Sequence, residues 1–171
     1  MSNATDPETE ALRPVIYELG VAVYVCQLFE NSLLFLVSIL SAHKGVVTAD
    51  SFKEALGDHS EKTLGLLAKA FRSKLRIPDN YEVFVREGVE ARNRVVHGFV
   101  RRNSDKLLTV QGRAELVDEL RELQHIVNDR ITAVNEVLDR ALQVFGGSLE
   151  QLRKDAEFPF EPDDIDSITQ H

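Results

Sequence analysis

A chain of 171 residues, 43% apolar and 28% charged, has the size and composition of one globular domain with a real core, which excludes a disordered or fibrous protein. A net charge of −8 offers nucleic acid no basic surface overall, so any such contact must come from local clustering. One cysteine, Cys26, excludes an internal disulfide and fits a reducing compartment, so a cytoplasmic protein is expected.

Residues 1 to 8 read as a loose end. Met1 to Glu10 has no basic residue and carries Asp6, Glu8 and Glu10, the reverse of a secretory leader. A long first helix is expected from about Pro7 to His43. Leu12, Val15, Ile16, Leu19, Val23, Cys26, Glu30, Leu33, Leu34, Val37 and Leu40 recur at steps of three and four and form one face. Val21, Val25, Leu28, Phe29, Leu36 and Ile39 lie on the other side, so the helix is apolar nearly all round. The stretch from Ile16 to Leu40 is long enough to cross a bilayer, but Gln27, Glu30, Asn31 and Ser32 sit in its middle. A core helix covered by its own bundle and by a partner chain is expected instead, with no membrane partner.

Lys44 and Gly45 read as the stop of that helix. Asp50 to Leu56 is a short helix ended by Gly57. A third helix, Ser60 to Leu75, places Leu64, Leu67, Ala68, Phe71 and Leu75 on one face. Asp79 and Glu82 form a reciprocal cap that starts a fourth helix. It runs to about His97, with Tyr81, Phe84, Val85, Gly88, Arg92, Val95, Val96 and Phe99 inward. Arg101 to Gly112 is a polar connection whose apolar patch, Leu107, Leu108 and Val110, makes a turn or a short strand. A fifth helix, Arg113 to Phe145, has Leu116, Leu120, Leu123, Val127, Val134, Leu138, Ala141 and Phe145 as its seam and stops at Gly146-Gly147. The fold class is thus all-α, an up-and-down bundle of four to five helices over residues 1–154. The remainder, 155–171, holds Asp155, Glu157, Glu161, Asp163, Asp164 and Asp166 without a Lys or Arg. With Phe158, Pro159, Phe160 and Pro162 it reads as an extended or flexible acidic tail.

Without that tail the charge is close to neutral. Between Arg86 and Arg113, moreover, seven bases (Arg86, Arg92, Arg94, Arg101, Arg102, Lys106, Arg113) face three acids (Glu87, Glu90, Asp105). Chemistry concentrates in the same place, in Glu90-Ala-Arg92-Asn93-Arg94-Val-Val-His97-Gly98-Phe99. Arg92 on the inner face of helix four needs a buried partner, and Glu30, the acid on the inner face of helix one, is the economical choice. A structural ion pair and a functional guanidinium both answer to that placement. His97 is turned about 140° from Arg92 at 100° per residue and sits near a helix C-terminus. There it can serve as an acid or base near neutral pH, or simply bond the last carbonyls of its helix.

Arg-x4-His with a polar residue after the arginine, at the end of a helix in an all-α chain, resembles the ribonuclease branch of the HEPN superfamily (higher eukaryotes and prokaryotes nucleotide-binding domains). The resemblance covers about residues 10 to 145 in helix order and the motif residues themselves. It implies a four- to five-helix bundle, a two-fold dimer that joins two motifs in one cleft, and metal-independent RNA cleavage with Arg92, Asn93 and His97 as the catalytic set. Roles in toxin-antitoxin systems or phage defence, with an antitoxin or other protein partner, follow from the same resemblance. A related branch carries Arg-x4-His-x-Tyr with a modified tyrosine; this chain has Phe99 at that position, a departure from that branch.

The residues themselves make the same chemistry possible. RNA carries its own nucleophile in the 2′-hydroxyl, so proton transfer by a histidine and charge stabilisation by an arginine suffice, and a dimer supplies the second imidazole. Arg94, Arg101 and Arg102 are the expected phosphate contacts. The other histidines, His43, His59, His125 and His171, show no ligand spacing with one another or with Cys26, so no metal and no cofactor is expected. Phosphate loops, Gly-x-Ser-x-Gly and HExxH motifs do not occur. The competing function is a non-catalytic helical module of the same fold that binds a protein or nucleotide and keeps Arg92 for stability.

Overall fold

The computed structural model describes residues 6–42, 54, 55, 57, 64–74 and 79–144, with the backbone alone for residues 42, 71–74, 79 and 80. The expected stops at Lys44-Gly45 and Gly146-Gly147 and the acidic tail 155–171 lie outside these residues, as do His43, His59 and His171.

The described residues form an all-α bundle without a strand. Its elements are α1 (Pro7–Ala42), α2 (Leu64–Lys74), α3 (Asp79–Val96), α4 (Phe99–Arg102), a 3-10 turn (Lys106–Leu108) and α5 (Val110–Val144). The start of α1 at Pro7 and the end of α3 at Val96 follow the periodic pattern closely. Glu54, Ala55 and Gly57 are helical as well, within and just past the short helix expected at Asp50 to Leu56.

α1 and α5 are the two long members, each about 50 Å at 1.5 Å per residue, and they pack against each other along their length. Leu116, Leu120, Leu123, Val127, Val134, Leu138 and Leu142 of α5 are buried against Val25, Phe29, Leu33, Leu36 and Val37 of α1 and its neighbours in one core. α2 covers α1, and α3 lies across both long helices. Toward its C-terminal end α1 is buried almost all round, from Ser32 and Leu33 through Leu36, Val37, Ser38 and Ile39. Ser38 satisfies its hydroxyl there by donating to the Leu34 carbonyl at 2.8 Å. Toward its N-terminal end the helix is bare on one side. Ile16, assigned by spacing to the core face, is 59% exposed, and Tyr17 and Tyr24 are more than half exposed too. α1 is long and apolar enough to span a bilayer, and half of its most apolar window is buried inside the bundle.

Polar clasps fix α5 against its neighbours at two heights. On α1, Glu18 accepts from Arg121 Nε at 2.9 Å and from Gln124 Nε2 at 2.9 Å. On α3, Glu87 accepts from Arg130 Nη2 at 2.7 Å, and the Arg130 guanidinium lies 3.7 Å from the centroid of the Phe84 ring. Cationic and aromatic groups so stacked attract through the ring quadrupole.

Two sequence expectations are corrected in the segment before α5. Of the two alternatives for the patch between Arg101 and Gly112, the turn is formed, as the 3-10 turn Lys106–Leu108, and the strand is not; the connection is also shorter than expected, because Phe99–Arg102 is one helical turn and α5 already begins at Val110. Thr109 is the reason for the early start: its hydroxyl accepts from the Gly112 N–H at 3.0 Å, which satisfies one of the free donors of the first turn. Of the patch, Leu107 packs on the core whereas Leu108 and Val110 are exposed. Val96, expected inward, is also exposed, and Ala91 takes a buried place on α3 instead.

Candidate functional site

The approach of α3 to α1 decides where Arg92 sits. Gly88 faces Phe29, and a Cβ built on Gly88 meets the Phe29 ring at 2.6 Å. No larger residue leaves the helices this close. One residue along α1 from Phe29 is Glu30, and one turn along α3 from Gly88 is Arg92. There Arg92 Nε donates to Glu30 Oε1 at 2.5 Å. The expected pair between α1 and α3 is therefore formed, with the Arg92 side chain 17% exposed and that of Glu30 31%.

The rest of the guanidinium turns along its own helix. Arg92 Nη1 lies 3.1 Å from Asn93 Oδ1 and 2.9 Å from His97 Nε2. A guanidinium has donors only. His97 Nε2 must accept, and the tautomer that fits this geometry carries the ring proton on Nδ1. Arg92, Asn93 and His97 are thus in one hydrogen-bonded group, although the helix projection sets the arginine and histidine 140° apart. The length of the arginine side chain closes that angle. Asn93 and His97 are exposed, so the group opens to solvent. Arg92 Nη2 has no partner among the described residues.

His97 follows the end of α3, its N–H still bonded to the Asn93 carbonyl at 3.0 Å. Gly98 then takes φ 78°, the left-handed conformation that ends a helix and that glycine alone adopts without strain. Phe99 drops into the core, 3% exposed, and anchors the turn. α4 follows at once.

The three arginines expected to hold phosphate fall in different places. Arg94 Nη2 pairs with Glu119 of α5 at 2.8 Å. Arg102 reaches back from α4, with Nη1 donating to the His97 carbonyl and Nη2 to the Arg94 carbonyl at 2.5 Å. Its guanidinium is engaged with the backbone of the last turn of α3. Arg101 is exposed and has no ion pair among the described residues. The clip by Arg102 was not read from the sequence. The signal was present, since a helix ended by glycine leaves bare carbonyls and a cation four residues later can cap them.

Cys26, one turn before Glu30, is buried close enough to feel both Arg92 and Glu30, and burial above all pushes its thiol up to about 11. His125 lies on the solvent side of α5, 3.8 Å from Asp129. Among the described residues no group of His, Cys, Asp and Glu could hold a metal. The site can do two things chemically. A fixed guanidinium with spare N–H groups can bind an oxyanion, and an accessible imidazole beside it can move a proton. No family model, curated protein or solved structure matches the chain.

Proposed function

We propose that the protein is a metal-independent endoribonuclease that works as a homodimer, as the resemblance to HEPN ribonucleases implies. The observation that carries the reading is the 2.9 Å contact between Arg92 Nη1 and His97 Nε2, on an exposed surface, with the guanidinium held from behind by Glu30. An RNA phosphate drawn to Nη1 and Nη2 competes for the donor that occupies Nε2, and the imidazole so released accepts the proton of the 2′-hydroxyl. The oxygen then bonds to phosphorus, the bond to the 5′-oxygen breaks, and that oxygen takes a proton from the His97 ring of the second copy, which enters the step as the imidazolium and leaves it neutral while the first ring leaves it protonated. The products are a 2′,3′-cyclic phosphate and a 5′-hydroxyl. Arg92 stabilises the charge that builds on phosphorus, and Asn93 orients the guanidinium through its Oδ1. Arg101 is the cation left to track the RNA backbone, and Arg94 shares its guanidinium with Glu119. A toxin or phage-defence role in the cytoplasm, with an antitoxin or other protein partner, belongs to the same proposal.

Cleavage of bulk RNA in the presence of EDTA is the test. Wild type should cleave and His97→Ala should lose about 10²- to 10⁴-fold; equal activity in the two ends the reading. A monomer at concentrations where cleavage is measured removes the second imidazole and ends it as well.

One observation favours the alternative, a non-catalytic module that binds a protein or nucleotide. Three of the Arg92 contacts are internal, to Glu30, Asn93 and His97, as a purely structural arginine requires. If Arg92→Lys unfolds the protein while His97→Ala changes neither stability nor any RNA-linked phenotype, the module is the function.

A further inference from the structure

We infer that Arg102 is a positioning residue of the candidate site, acting through the backbone of His97 and making no contact with RNA. The inference rests on the ribonuclease reading for its catalytic consequence, though not for its geometry. The last carbonyls of a helix have no donor of their own. Here Arg102 supplies both prongs of its guanidinium to two of them, His97 through Nη1 and Arg94 through Nη2. The fork spans one turn and ends on the histidine itself. Gly98 at φ 78° and the Phe99 anchor determine where the chain goes after His97, and Arg102 closes that turn from the far side. Its own N–H bonds the Gly98 carbonyl at 3.0 Å. With the carbonyl of His97 clamped, the Cα–Cβ direction of His97 is fixed, and the ring is delivered to Arg92. Two of its five N–H donors are engaged with protein carbonyls, one on each Nη, and this two-pronged grip fixes the Arg102 guanidinium on the last turn of α3. Arg101 next to it, exposed and unpaired among the described residues, is the contrast.

Three variants separate the roles. Arg102→Met keeps the stem and removes every donor, Arg102→Gln keeps an uncharged amide NH2 in place of the fork, and Arg101→Gln removes the neighbouring cation. The ring nitrogens of His97 are followed by NMR, and cleavage of a single-stranded RNA is followed over a range of salt. In Arg102→Met the His97 ring should lose its preference for the proton on Nδ1, and kcat should fall about tenfold with KM within twofold. Arg102→Gln should recover part of both. Neither variant should change the slope of log affinity against log salt, which Arg101→Gln should lower by about one phosphate contact. An unchanged His97 ring in Arg102→Met, or a salt slope reduced by Arg102→Gln as much as by Arg101→Gln, overturns the inference. Should the wild type cleave no RNA, the ribonuclease reading fails alone, since the NMR signature still decides whether Arg102 positions His97.

Discussion

Arg92 Nη1 and His97 Nε2 stand 2.9 Å apart at the C-terminal end of α3, and the contact has a direction: the arginine gives and the imidazole accepts. The imidazole lone pair is therefore already engaged, by the cationic group for which an added anion would compete. An anion at the guanidinium and a free imidazole become one event. Inorganic phosphate or sulfate added to the protein should accordingly shift the His97 ring nitrogens in NMR while leaving the exposed His125 where it was. Parallel shifts of both rings count against the coupling.

Glu30 is the anchor behind that contact. Removing it leaves the Arg92 guanidinium mostly buried without its shortest acceptor, and hydrogen bonds to charged groups contribute about 1.5–3 kcal/mol. Both side chains retain some exposure, so the lower half of the range applies. Glu30→Ala should lower stability by about 2 kcal/mol, read as a drop of ~4–8 °C in Tm for a chain of this size. Glu30→Ala combined with Arg92→Met should be more stable than the sum of the single losses. Strict additivity of the two means that the ion pair contributes nothing.

Gly88 sets the distance between α1 and α3. A methyl group there meets the fully buried Phe29 ring and crowds Arg130 Cβ, and overpacking of this kind costs about 1–3 kcal/mol. Because Glu30 follows Phe29 directly, the displacement reaches the Arg92 pair as well. Gly88→Ala should therefore lower Tm and also disturb His97, whereas Gly20→Ala, at an exposed α1 position with open space around it, should leave both unchanged or raise Tm slightly.

What the sequence made legible follows from what periodicity encodes. Spacing of three and four fixes which residues share a face, and so the helices, most of the seam of α5 and the inward Arg92 with Glu30 as its partner were all readable. Periodicity is silent on which sides of an all-round apolar helix are covered, and Ile16 was placed on the core face for that reason. Turn chemistry carries its own signal. The Thr109 hydroxyl and the Gly112 N–H mark the start of α5 three residues before Arg113, a cap present in the sequence as Thr109-Val-Gln-Gly112. The meeting of Arg92 with His97 depends on side-chain reach, which a helical projection omits, and the Arg102 clip joins a side chain to backbone carbonyls, so that only Gly98 with a cation four residues later hints at it.

Cys26 supplies a prediction at high pH. Burial raises its thiol to about 11, with Arg92 opposing that rise and Glu30 adding to it. The folded pKa is above the ordinary value, so the protonated thiol's contribution to stability is complete below about pH 9 and is lost as pH rises toward 11. The native protein should resist alkylation at pH 8 and react only when denatured. Cys26→Ala should flatten the alkaline loss of stability between those pH values, and rapid labelling of the native thiol is the outcome that contradicts its burial.

Glu18 supplies the counterpart in acid. The hydrogen bond from Gln124 first, and then Arg121, hold its carboxyl below the usual carboxylate range against the opposing effect of burial. A depressed folded pKa means that its contribution is present above the ordinary carboxylate value and disappears as pH falls through the folded one. The stability difference between wild type and Glu18→Gln should thus be widest near neutral pH and narrow as the medium becomes acid. The clasp joins the exposed half of α1 to α5, so its loss should loosen that half first, seen as faster amide exchange around Glu18 than around Leu33. A difference that stays constant across the whole acid range means that Glu18 is ionised alike in the folded and unfolded chains, and that Gln124 and Arg121 position the carboxylate without favouring its charge.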